Sequence, residues 1–258
     1  KNRIRGEFIL KFLIVGDVCG RPGREAFRKY VPELKKEHNI DVVVVNGENI
    51  AGGRGISRKT LDEIYRAGAD IVTSGNHIWD QKEIVSFIDD EPFLIRPANY
   101  PEGAPGKGYC IYPFKAKNIG VINVSGRTFM PPMDCPFQKV DEILKEIKNQ
   151  CDIILVDIHA EATSEKIAMG FYLDGKVTCV VGTHTHVQTA DNRILPKGTA
   201  YISDLGMVGP YNSSLGINVN NAIDKFITCR PVRFEMAEGP NIFSAVALEL
   251  AEDNSVKS

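Results

Sequence analysis

The chain has 258 residues, 43% of them hydrophobic, and its 31 lysines and arginines nearly balance its 33 aspartates and glutamates. A chain of this length can bury one large core, so a single domain is expected, and near-neutrality leaves no basic field of the kind that drives binding to long nucleic acids or acidic membranes. No apolar run approaches the roughly 20 residues that span a bilayer and no signal peptide opens the chain, which together predict a soluble, cytoplasmic protein with no membrane partner.

Residues 1–10, "KNRIRGEFIL", are basic and irregular and are set aside as a disordered terminus or expression scar, so the expected domain runs over 11–258. "KFLIVG" then reads as a buried strand, and "REAFRKYVPELKKEH" has helical spacing, with Ala26, Phe27, Tyr30, Val31 and Leu34 on one side. "DVVVVNG" is too uniformly apolar to be half exposed, "SRKTLDEIYRAG" opens on a Ser57 cap and closes on Gly68, and "ADIVTSG" is a third buried run. Strand and helix alternation of this kind predicts a parallel sheet with helices on its faces.

From about Pro92 to Asn123 the chain is richer in proline, glycine and aromatics, with strand candidates "GYCIYPF" and "NIGVINVSG". "GRTFMPPMDCPF" (Gly126 to Phe137) is expected to be a long irregular loop, and its apolar tip suggests a contact over a site or between copies in a homo-oligomer. A helix from about Gln138 to Asn149, the strand "CDIILVDIHA", a helix from near Ser164 and the strands "KVTCVVGTH" and "TAYISD" follow. "NIFSAVALELAE" alternates as an antiparallel strand with one exposed face would. The six cysteines have no regular spacing and read as reduced, mostly buried thiols.

What ends the buried strands is polar. Asp17 follows the first, Glu48 and Asn49 the second, Asn76 and His77 the third; His159 ends the next, and His184 and His186 follow "CVVGT". Parallel strands with helical crossovers deliver such residues to one edge, where open α/β sheets place their active sites. Four of the five histidines stand at these ends; His38, near the end of the first helix, is assigned only a dipole role. Imidazole, carboxylate and amide donors without an obvious thiolate suit Fe, Mn, Zn or Mg. Seven or eight donors fill two adjacent ions about 3.5–4 Å apart better than one. If "GTHTH" is extended, His184 and His186 project from one side of the backbone and can serve different ions. "GDVCGRPGR" fits neither the dinucleotide fingerprint nor the P-loop pattern.

"GDVCG", "NGEN", "SGNHIWD", "DIHAE" and "GTHTHVQTAD" together resemble the calcineurin-like metallophosphoesterases and, within them, the YmdB-like family of bacterial 2′,3′-cyclic-nucleotide phosphodiesterases. The resemblance runs from about Lys11 to Glu252 and includes "GRTFM" and "SDLGMVGP". Where the wider superfamily has D-x-H, this chain has Asp17-Val18-Cys19, and Glu48 of "NGEN" stands where a bridging aspartate is usual; both are features of the YmdB-like branch.

The resemblance implies an α/β fold of mixed β-sheets layered between helices, and two divalent or trivalent ions, iron first, with Mn, Zn or Mg compatible. It implies that Asp17, Glu48, Asn49 and His186 hold one ion, and that Glu48, Asn76, His159 and His184 hold the other with Glu48 bridging. Asn49 would replace the missing histidine in preference to Cys19, and His77 would protonate the leaving oxygen during metal-hydroxide attack on a cyclic nucleotide, 2′,3′-cyclic or secondarily 3′,5′-cyclic AMP. Arg127 is the loop arginine nominated to contact substrate, and Asp157 and Asp191 are nominated to orient ligand histidines. Phosphomonoester hydrolysis, protein phosphatase or nuclease activity at the same site, or a cyclic-nucleotide-binding regulator with slow turnover, are the alternatives.

Overall fold

A computed structural model describes residues 10–258; the terminal segment set aside above therefore lies outside the described residues except for Leu10, which is already in a strand. In chain order the elements are β1 (Leu10–Val15), β2 (Asp17–Val18), α1 (Gly20–His38), β3 (Val42–Asn46), α2 (Arg58–Arg66), β4 (Ile71–Thr73), β5 (Tyr109–Phe114), β6 (Lys117–Ser125), α3 (Pro136–Ile147), β7 (Ile153–His159), α4 (Thr163–Leu173), β8 (Cys179–Thr183), β9 (Arg193–Ile194), β10 (Ala200–Ile202), β11 (Met207–Pro210), α5 (Val219–Thr228), β12 (Asn241–Phe243) and β13 (Ala245–Leu250).

The strands form two main sheets, the layered mixed-sheet arrangement that the resemblance implied, where strand periodicity alone suggested one parallel sheet. β13-β1-β3-β4 is parallel apart from β13, which pairs antiparallel with β1 as its alternation predicts. β5-β6-β7-β8-β10-β9 is parallel from β6 to β10, with antiparallel edges. A small third sheet, β12-β11-β2, closes the end near the first strand.

Period-two alternation explains the layering. Phe12 and Ile14 of β1 and Val42 and Val44 of β3 face Val121, Leu155 and Val181 of the second sheet, making the inter-sheet core. Their neighbours Leu13, Val15, Val43 and Val45 face Phe27 of α1 and Leu61 of α2. On the far side, Val124, Ile154 and Val156 pack on Val140 and Leu144 of α3 and Met169 of α4. The result is helices, sheet, sheet, helices. α2 starts where Ser57 caps it, its hydroxyl accepting from the Thr60 N–H in a reciprocal capping box. The loop expected over 126–137 holds as far as Cys135, and α3 begins at Pro136, two residues before the expected start. Of the six free cysteines three are buried, Cys135 and Cys151 are half-buried and Cys229 is exposed. No helix among the described residues is long and apolar enough to cross a membrane.

Candidate metal centre

The loops after β1, β3, β4, β7 and β8 meet at one edge of the sandwich. Two clusters of metal-type ligand atoms form there, Glu48 with His159 and His184, and Asp17 with Glu48 and His186; within each, the ligand atoms lie within 4.8 Å of one another, and Glu48 is common to both. Asn76 joins the first, its Oδ1 standing 3.0 Å from His159 Nε2. Asn49 joins the second, its amide 3.2 Å from His186 Nε2 and 3.1 Å from Glu48 Oε1.

Each histidine has one nitrogen committed elsewhere. His159 Nδ1 lies 2.9 Å from Thr183 Oγ1, and that hydroxyl donates to Asp157 Oδ1 at 2.7 Å. A hydroxyl has one proton, so Thr183, having given it to Asp157, must accept from Nδ1–H, which leaves Nε2 to face the cluster. His186 Nδ1 donates to the Leu215 carbonyl at 3.0 Å, which frees its Nε2. His184 Nε2 lies 3.2 Å from a Glu161 carboxylate oxygen, which frees its Nδ1. The freed His184 Nδ1 and His159 Nε2 are 3.0 Å apart, and Glu48 Oε1 is 3.2 Å from the same His159 nitrogen. Nitrogen and carboxylate ligand atoms crowded in this way need a shared cation or shared protons.

The rest of the cradle agrees with a cation. Asp17 is fully buried; its Oδ2 accepts the His184 N–H at 3.2 Å, but Oδ1 has no hydrogen-bond partner among the described residues. A Cβ at Gly75 would lie 2.3 Å from His159 Nε2 and 2.4 Å from Glu48 Oε2, so the turn after β4 approaches as only glycine can. With no cation, burial pushes the Asp17 carboxyl up to about 7 against the pull of His186 and His159. Burial also opposes ionisation of Glu48, yet His159 beside it holds that carboxyl down to about 2. Burial and the neighbouring His159 press His184 down to about 3. Carboxylate, amide and neutral imidazole donors fit oxygen- and nitrogen-preferring ions such as Fe, Mn or Zn. Cys19 Sγ lies 3.7 Å from His186 Nδ1, and burial raises its pKa, so it stands beside the second cluster as a thiol.

The "GTHTH" turn is not extended. β8 stops at Thr183, and His184 and His186 adopt φ of 101° and 66°, in the left-handed region that non-glycine residues avoid. Asp204 holds the turn there: its Oδ2 accepts from Thr185 N (3.1 Å), Thr185 Oγ1 (2.7 Å) and the buried Lys166 Nζ (2.6 Å). The two histidines reach different clusters because the backbone is twisted between them, not because a strand presents both on one side. Asp157 reaches His159 through Thr183 as nominated, while Asp191 binds Ser203 and has no hydrogen bond to a cluster histidine among the described residues.

His77 lies beside the clusters. Its backbone N–H donates to Glu48 Oε2 at 3.1 Å and its Nδ1 is 2.9 Å from Asp80 Oδ2. It lines a cavity of about 270 Å³ together with Arg54, Glu161, His184, His186 and Met236. Arg127 is not among the residues lining it; its guanidinium reaches Cys135 Sγ at 3.6 Å and its backbone N–H is held by Glu165. Arg54, Asp80 and Glu161 were not singled out in the sequence. Asp80, three residues after His77 in "GNHIWD", and Glu161, two after His159 in "DIHAE", had a signal in their proximity to histidines; Arg54 had none.

A double-sheet sandwich that gathers such ligands at one edge defines the calcineurin-like metallophosphoesterase class of fold. Residues 13–258 match the model of the YmdB-like protein family, and the chain belongs to that family. It is 51% identical over 249 residues to the 2′,3′-cyclic-nucleotide 2′-phosphodiesterase of Bacillus subtilis (strain 168), covering 96% of this chain and 94% of that protein. Among solved structures it is similar to a protein of Thermus thermophilus, with 41% identity and a TM-score of 0.92 over 96% of both chains. A protein of Mycoplasma pneumoniae described as a novel phosphatase has 35% identity and a TM-score of 0.92, over 98% of this chain and 92% of that one.

Proposed function

We propose that the chain is a two-metal phosphodiesterase, folded as one domain, that opens 2′,3′-cyclic nucleotides by hydrolysing the bond to O2′. The observation that carries this reading is the pair of ligand clusters sharing Glu48 beside His77, in a chain half identical to a 2′,3′-cyclic-nucleotide 2′-phosphodiesterase. Asp17, Glu48, Asn49 and His186 would hold one ion and Glu48, Asn76, His159 and His184 the other, with iron the first expectation and Mn or Zn compatible. Asn49 turns Nδ2 towards Glu48 and His186, so its amide would rotate to present Oδ1 to the ion. When bound, the ions supply positive charge to the phosphoryl oxygens and a water acidic enough to attack at neutral pH.

The chain's own groups do the remaining work. Asp80 accepts from His77 Nδ1, which leaves Nε2 to exchange a proton in the cavity. As the water oxygen bonds to phosphorus, the P–O2′ bond breaks and O2′ takes the proton of His77 Nε2; the water's proton restores it, leaving a nucleoside 3′-monophosphate. Arg54 supplies the cavity's cationic side chain for the phosphate's negative charge.

The test is hydrolysis of 2′,3′-cyclic AMP beside p-nitrophenyl phosphate, with Mn(II) or anaerobic Fe(II) supplied. Faster cleavage of the cyclic diester, abolished in His77→Ala with metal retained, is the expected result. Preferential monoester cleavage would transfer the site to the phosphomonoesterase reading, which the resemblance to the Mycoplasma phosphatase favours.

A further inference from the structure

A cavity of about 530 Å³ lies outside the metal centre, against about 270 Å³ for the one that His77 lines. It is a groove between α1 and α2, lined by five basic residues, Arg21, Arg24, Arg28, Lys59 and Arg66, against two acidic ones, Glu25 and Glu63. This local excess of positive charge stands on a chain whose net charge is −2. Overall charge balance therefore conceals a patch suited to a polyanion.

Its position ties it to the centre. α1 leaves the site edge just after Asp17 and Cys19, and α2 leaves it just after the loop carrying Glu48, Asn49 and Arg54. Gly20 N–H donates to the Asn49 carbonyl at 2.8 Å, and Arg24 donates to the carbonyl of Ile50. Arg24 also bridges the two helices through Glu63 at 2.6 Å. The groove thus starts beside the loop that holds the ligands and runs away from it along both helices. Arg21 and Arg28 are separated by about 10 Å of helix rise, and so are Lys59 and Arg66, room for successive phosphates of one strand. Arg21 pairs with Glu25 on the surface, a contact of small worth that a phosphate can displace, and Arg28 and Lys59 have no hydrogen-bonded or ion-paired partner among the described residues.

We infer that the substrate class of this site extends from cyclic mononucleotides to single-stranded RNA ending in a 2′,3′-cyclic phosphate, with the terminal ring at the metal centre and the upstream phosphates in the α1–α2 groove. This rests on the phosphodiesterase reading above. Hydrolysis would open the terminal ring with one water, as for the mononucleotide, and leave a 3′-phosphate on the RNA.

The experiment compares 2′,3′-cyclic AMP with a fluorescein-labelled pentaribonucleotide carrying a terminal 2′,3′-cyclic phosphate, for the native chain and for the double variant Arg28→Glu/Lys59→Glu. The native chain is expected to show a kcat/KM at least about tenfold higher on the pentamer, falling as salt rises. The variant should lose about tenfold on the pentamer, show a shallower salt dependence, and stay within about twofold on the mononucleotide. Equal kcat/KM on both substrates, or a pentamer rate that the variant leaves untouched, would overturn the proposal. Intact mononucleotide turnover shows that the variant is folded; if it fails, Arg28→Gln/Lys59→Gln takes its place. If the native chain turns over neither substrate, the phosphodiesterase reading fails, and fluorescence anisotropy of a labelled 3′-phosphorylated pentamer then judges the groove alone. Binding weakened by the variant supports it. Equal affinity for the pentamer and polyglutamate of the same charge overturns the RNA assignment.

Discussion

Glu161 fixes the orientation of His184: its carboxylate takes the Nε2 side of the ring and so turns Nδ1 towards His159 and Glu48. Partners of this type typically contribute 10–100-fold in metal affinity. Glu161→Ala is therefore expected to weaken one ion by about that factor in a Mn(II) titration, with the other ion and the far-UV circular dichroism unchanged, while Glu161→Gln, which still has an acceptor oxygen, recovers most of the loss. Equal affinity in Glu161→Ala would mean that the ring is held by packing alone. Gly75→Ala is a stricter test of the cradle, because its methyl would occupy space 2.3 Å from His159 Nε2; metal content should fall with the fold retained. At this scale the residues of the two clusters were readable in the sequence because each follows a buried run. Their partners were not: the Leu215 carbonyl belongs to a chemistry every residue shares, and Arg54 reaches the cavity only through the fold of its loop.

The turn after β8 is the element on which both clusters depend, and its shape rests on a buried ion pair. Lys166 of α4 and Asp204 are each about 1% exposed, and Asp204 also holds Thr185, between the two histidines. Removing one partner leaves a buried charge without compensation, so Lys166→Met should cost about 3–5 kcal/mol in urea unfolding. The double variant Lys166→Met/Asp204→Leu should recover part of that stability without recovering metal affinity. Nearby, burial would raise the Asp191 carboxyl, but hydrogen bonds from Ser203 and Thr189 hold it below the ordinary carboxylate range. Its contribution is thus present above that range and lost as pH falls through the depressed folded pKa. The stability gap between the native chain and Asp191→Asn should accordingly be constant near neutrality and close in acid, and a gap independent of pH throughout the acid range would contradict it. The elements themselves were legible, since strand runs, the Ser57 cap and the antiparallel β13 all follow from periodicity and capping. The left-handed backbone at His184 and His186 was not, because the Asp204 contact that holds it joins residues far apart in the chain.

Across the whole molecule, the centre exists because two sheets end at the same edge. β1, β3 and β4 bring Asp17, Glu48, Asn49, Asn76 and His77 from one sheet, while β7 and β8 bring His159, His184 and His186 from the other. Uniformly buried strands carry no mark of which sheet they join, so strand periodicity pointed to one edge, and the two layers that meet there came from the family resemblance. Arg127 shows the same limit, since an arginine in a loop after β6 gives no sign of which way the loop folds. The claim on which the functional reading stands is that this edge holds two cations, one at each cluster. Elemental analysis of the Mn(II)-equilibrated native chain and of His184→Ala and His186→Ala measures it directly. Two ions per native chain and one in each variant are predicted; one ion in the native chain, or two retained in either variant, would contradict the account.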